Sequence, residues 1–172
     1  MSKAVLISIK PKWCQKIVNG EKTIEIRKTR PRLETPFKCY IYCTLPRNPH
    51  EDFFATDYPR PQFYGGGKVI GEFACDKVYR LVTSGPGGSY HVEGEDQGTT
   101  NLVARQSCLG LSDMHAYLKS KPGYGLHISQ MKLYDAPREL SEFTGLRNTR
   151  FGAAPYDIKR PPQSWCYVQE VE

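Results

Sequence analysis

The chain contains no run of about 18 apolar residues, so nothing in it reads as a membrane-spanning helix. Its opening apolar stretch, Ala4 to Ile9, is too short for the core of a signal peptide, and Lys10 and Lys12 follow at once. That stretch reads as a buried first strand, and a cytoplasmic location is expected. No Cys-x-x-Cys occurs. The six cysteines are scattered through apolar segments, which suits reduced, small hydrophobic side chains better than a disulfide framework. Cys39 and Cys43 flank Tyr40-Ile41-Tyr42, which reads as strand; that spacing sets them about 13 Å apart, too far for one zinc ion. Serine elbow, P-loop and dinucleotide-binding fingerprint are all missing, and Gly65-Gly66-Gly67 lacks the flanks of a phosphate loop. No metal, cofactor or obligate protein partner is expected.

Acidic residues are scarce at one end only. Residues 1–38 hold ten lysines and arginines against three glutamates, whereas the other 134 residues carry 14 basic and 15 acidic groups. The whole excess of positive charge, +6 for the chain, therefore sits in its first quarter. A local basic field of this kind suits a polyanion, nucleic acid before anionic membrane, although a solvated lysine-rich face has the same composition.

The 172 residues, 39% of them hydrophobic, fit one domain over 1–172. Val5–Ile9 reads as strand. Pro11 suits the first turn of a helix, in which Trp13, Cys14, Ile17 and Val18 form an apolar stripe that Asn19-Gly20 ends. Thr23 to Arg27 alternates strictly, with Ile24 and Ile26 on one face and Thr23, Glu25 and Arg27 on the other. Phe37–Cys43, Lys68–Leu81, Tyr124–Tyr134 and Trp165–Val171 also read as strands. In the second of these the alternation slips near Asp76, predicting a bulge. Residues 45–67, rich in proline and glycine, read as loop with one helical turn. Ser112 to Lys119 and Pro137 to Phe143 read as short helices, and the segments near 84–110 and 144–163 as two long loop insertions. This order predicts a mainly β (α+β) fold, a small closed or nearly closed barrel with two or three short helices.

Gly20-Glu21-Lys22-Thr23-Ile24-Glu25-Ile26-Arg27, placed directly after an amphipathic helix, resembles the G-x-K-x-x-E-x-R signature of the ASCH family within the PUA-like superfamily. Lys10-Pro11-Lys12-Trp13 entering the helix, Gly67 to Phe73 in mid-chain and Trp165-Cys166-Tyr167-Val168 near the end extend the resemblance over nearly the whole chain. The resemblance implies a PUA-like barrel with a cleft beside the first helix that binds RNA or a modified nucleoside. Lys12, Lys22, Glu25, Arg27, Arg30 and Arg32 are then the candidate nucleic-acid-binding residues.

Each candidate has a second reading. Lys22 holds a phosphate, or, if desolvated, acts as a base, or is a solvated turn lysine. Glu25 and Arg27, sharing one strand face, either hold a ligand or form an ion pair inside the barrel. Trp13 is core or stacking platform; His127 and Ser129 line the cleft or are satisfied within the barrel. Arg147 to Arg160, with Phe151 and Tyr156, mixes cations and aromatics in a way that suits unpaired bases. Some small ASCH proteins are similar to amidohydrolases that remove the acyl group from N4-acetylcytidine with a lysine, a threonine and a glutamate. Lys22 matches that lysine. Glu25 stands where the threonine would be, and no acidic residue lies between Asp96 and Asp113. If the chain is an enzyme, Lys22 and Glu25 are its candidate catalytic groups, with Glu25 as general base.

Overall fold

The computed structural model describes residues 2–45, 47 and 65–171. Most of the loop expected over 45–67 lies outside the described residues. Among the described residues, nine strands form one mixed sheet: β1 (Lys3–Ile9), β2 (Ile24–Arg27), β3 (Phe37–Cys43), β4 (Lys68–Thr83), β5 (Tyr90–Val92), β6 (Gly123–Arg138), β7 (Thr144–Thr149), β8 (Gly152–Asp157) and β9 (Trp165–Gln169). Three helices accompany it: α1 (Pro11–Val18), α2 (Gln97–Ser107) and α3 (Leu111–Leu118). No helix among the described residues is long and apolar enough to cross a membrane.

The spatial order is β2-β6-β4-β3-β1-β9-β7-β8, with β5 on the outer end of β4. Among the described residues, β1 and β3 form the one parallel pair. Strand β1 is central and buried on both faces, which is why its sequence is a continuous apolar run rather than an alternation. Val5, Ile7 and Ile9 join a core that includes Cys14 and Ile17 of α1. Ala4 and Leu6 face a second core around Tyr40, Phe143 and Val168.

Helix α1 starts as its sequence predicts, with proline in the first turn, and ends at Gly20 in the left-handed region (φ +75°). The bulge predicted near Asp76 is present: the β4–β6 register shifts between Cys75 and Val78. The helix expected over 137–143 shortens to one 3-10 turn at Leu140–Glu142.

Three expectations change. Residues 84–110 are not simply loop: β5 pairs with β4, and Asp96 caps α2 by accepting from the Thr99 N–H at 2.7 Å. Residues 144–163 are likewise built largely as a hairpin of β7 and β8, whose β7 pairs with β9. Gly145 makes this hairpin possible, because the Tyr156 ring lies 2.3 Å from where a Cβ would stand. Finally, no backbone pairing joins β2 to β8 or β9 among the described residues, so the sheet does not close.

Strand β2 is buried along its whole length. Ile24 and Ile26 pack against Val103 of α2 and Met114 and Leu118 of α3 in a third core. Burying two such side chains contributes about 1.5–3 kcal/mol each. With its apolar face held there, β2 turns Glu25 and Arg27 toward the opposite side, where α1 begins.

Candidate functional site

A cavity of about 770 Å³ opens on that side, between the start of α1, the polar face of β2, α3 and the segment before β9. Its floor holds the three motif residues. Lys22 is 2% exposed, Glu25 7% and Arg27 6%. The solvated-lysine reading of Lys22 is thereby excluded.

The floor is closely connected. The Lys22 ammonium donates to the Ser107 carbonyl at 2.6 Å, lies 3.2 Å from Glu25 Oε2, and stands 5.0 Å from the centre of the Trp13 ring. Glu25 Oε1 accepts from Arg27 Nη2 at 2.8 Å. The same nitrogen donates to the Ser8 carbonyl at 2.7 Å, while Nη1 reaches Ser164 Oγ and the Ser164 carbonyl at 3.3 and 3.4 Å. Among the described residues, the Arg27 Nε has no partner, and neither does the buried Thr23 Oγ1. Arg27 therefore spans the gap that the backbone leaves open, tying edge strand β2 to β1 and to the start of β9. A barrel-like closure is made by one guanidinium in place of a strand pair. This is the fork geometry in which arginine is not replaceable by lysine.

Lys22 precedes β2, so strand alternation does not govern it, and it meets Glu25 three residues on. Thr23, by contrast, does not line the cavity. The pairing of two cations with one carboxylate resolves the sequence alternatives for Glu25 and Arg27 in favour of an interior ion-pair network that also forms a cavity wall. Trp13 serves twice, packing against the main core and lining the cavity.

The mouth is different. Lys10, Lys12 and Arg47 line it and are exposed, and none has an ion pair among the described residues. Lys12 stands 4.6 Å from the centre of the Trp13 ring. Asp113, at the start of α3, is the second carboxylate of the lining; Leu45, Tyr117 and the Pro161-Pro162 pair complete its walls. Five cations thus face two carboxylates. Burial pushes the Tyr42 and Tyr117 phenols up, so both stay neutral near pH 7. Burial also raises Cys14 and Cys39 well above the ordinary thiol range, which leaves neither as a thiolate nucleophile.

Of the residues singled out from the sequence, Lys12, Lys22, Glu25 and Arg27 converge here. Arg30 and Arg32 are exposed and do not line the cavity: the Arg30 side chain bonds the Pro31 and Leu33 carbonyls, and Arg32 offers its backbone N–H to the Tyr167 hydroxyl. His127 is outside it too, bound to Asp76 at 2.6 Å, and Ser129 donates to the Ala74 carbonyl. Phe151 stands 86% exposed at the β7–β8 turn, beside Arg150. Sequence reading missed Ser8, Ser107, Asp113 and the 161–164 segment. None carries a local signal, since each meets β2 only through the tertiary fold.

No family model matches the sequence, and no curated protein matches it. Solved structures do match. A serine-to-alanine variant of an ASCH protein from Zymomonas mobilis superposes with a TM-score of 0.60 at 17% identity, covering 97% of this chain and 89% of that one. The crystal structure of ASCH from the same organism gives 0.54 at 16% identity, covering 97% and 88%. A tyrosine-to-phenylalanine variant gives 0.52 at 16% identity, covering 97% and 91%. With this likeness and the motif residues gathered at one cavity, the chain has the fold of an ASCH domain.

Proposed function

We propose that the cavity binds a nucleotide unit, free or within an unpaired RNA strand, and that the protein acts as a binding module. The observation that carries this reading is the division of labour among the cations. Lys22 and Arg27 are committed to Ser107, Glu25, Ser8 and Ser164, whereas Lys10, Lys12 and Arg47 at the mouth have no ion pair among the described residues. Open cations at a rim attract phosphate, and an aromatic wall of Trp13 and Tyr117 accepts a base or ribose. The volume is within the range of about 300–1,000 Å³ typical of small-ligand sites and too small for a duplex. A cytoplasmic location belongs to the same reading and agrees with six free cysteines.

Equilibrium titration of the intact protein with nucleoside monophosphates and with short single-stranded RNA tests it. Saturable binding of either, competed by the other, is the expected result. Absence of binding to both overturns it. The same samples, incubated with N4-acetylcytidine and with labelled RNA, test the hydrolytic alternative for Lys22 and Glu25. The binding reading expects no turnover, and product formation would replace it with the hydrolase.

A further inference from the structure

Two carboxylates line the cavity, and their states differ. Glu25 is buried with a cation on each oxygen. Asp113 is exposed and has no cation partner among the described residues. The Gly110 N–H donates to its Oδ2 at 3.3 Å. Its other carboxylate oxygen has no partner among the described residues, on the wall of a cavity whose lining also holds five cations, the already paired Glu25, two neutral phenols and the polar Ser8, Thr44 and Gln163. An open acceptor in that place is unfavourable toward phosphate. It becomes favourable only if the ligand presents a donor to it.

Building on the nucleotide-binding reading above, we infer that Asp113 is the specificity determinant of the cavity and selects a base bearing an exocyclic amine over uracil. A carboxylate accepts from the amine of cytosine or adenine, whereas uracil places the acceptor O4 at the position of the cytosine amine and has only its N3–H, one position along the base edge, to donate. The lysines at the mouth hold the phosphate of every nucleotide alike, so they set affinity, and Asp113 sets choice. Asparagine at this position retains an oxygen for the Gly110 N–H and adds an N–H₂ that donates to uracil O4.

The experiment compares cytidine and uridine monophosphates, which share size and charge, on the intact protein and on Asp113→Asn. The wild type is expected to bind the cytidine nucleotide about tenfold more tightly, the discrimination of one good carboxylate–amine contact. In Asp113→Asn the ratio is expected to fall to about one or invert. Removing the charge also shifts both affinities by a common electrostatic factor, which cancels in the ratio, and the ratio is therefore the readout. An equal affinity for the two nucleotides in the wild type, or a ratio unchanged in the variant, overturns the inference while leaving nucleotide binding standing. Failure of the wild type to bind either nucleotide overturns both.

Discussion

The Lys22 ammonium donates to the Ser107 carbonyl at 2.6 Å, joining the residue before β2 to the last turn of α2 across 85 positions of sequence. The bond satisfies one of the orphan carbonyls that end any helix, and it positions the ammonium beside Glu25. Lys22→Met keeps the stem and removes the charge, leaving that carbonyl unpaired and Glu25 with one buried cation. A loss of about 3–5 kcal/mol is expected, read as a lower denaturant midpoint at unchanged slope. A change below about 1 kcal/mol would show that the network does not hold β2 to α2.

Arg27 makes a sharper test because its charge can be retained. Arg27→Lys keeps a cation next to Glu25 but cannot reach Ser8 and Ser164 together. Stability should fall by roughly 1.5–3 kcal/mol, the scale of lost hydrogen bonds to a charged group. Hydrogen exchange should quicken at the start of β9, where the guanidinium now holds Ser164.

Arg30 and Arg32 belong to the basic stretch of the sequence but lie off the cavity. Arg30→Ala and Arg32→Ala are expected to change nucleoside monophosphate affinity by less than about twofold, since neither lines the cavity and exposed charges are screened by salt. A tenfold loss in either would move the binding surface from the cavity to the proline-rich turn.

Acid stability has a separate source. The His127 contact at 2.6 Å holds the Asp76 carboxyl below the usual carboxylate range. A carboxylate with a depressed folded pKa stabilises above its unfolded value, near 4, and loses that contribution as pH falls through the folded value. Asp76→Asn should therefore melt below the wild type at pH 6, and the difference should shrink below pH 4. A gap that is constant over the range would assign the effect to packing instead of ionisation.

Local pattern made part of this structure legible. Strand β1, the stripe of α1, the alternation of β2 and the bulge in β4 follow from period and punctuation, because burial on a known face dictates them. Helix α2 is hidden because its apolar residues Leu102, Val103 and Ala104 are consecutive, with no stripe, and its start depends on the Asp96 cap. Strands β7 and β8 carry Gly145, Gly152 and Pro155, residues that argue against strand. They pair because Tyr156 fills the space over Gly145. For the site, the spacing of Lys22, Glu25 and Arg27 points to three residues that line one cavity. What it leaves out is that the trio's bonds are already taken by Ser8, Ser107 and Ser164, and that the lining cations without an ion pair among the described residues are Lys10, Lys12 and Arg47.

The salt dependence of RNA binding tests the central claim most directly. For a short single-stranded oligoribonucleotide, each phosphate held contributes about −0.7 to the slope of log affinity against log salt. The account predicts a slope steeper than about −1.4 for the wild type, shallower by about that amount in a Lys10→Ala/Lys12→Ala double variant whose fold is unchanged. A wild-type affinity indifferent to salt, or a slope the double variant leaves intact, would contradict it.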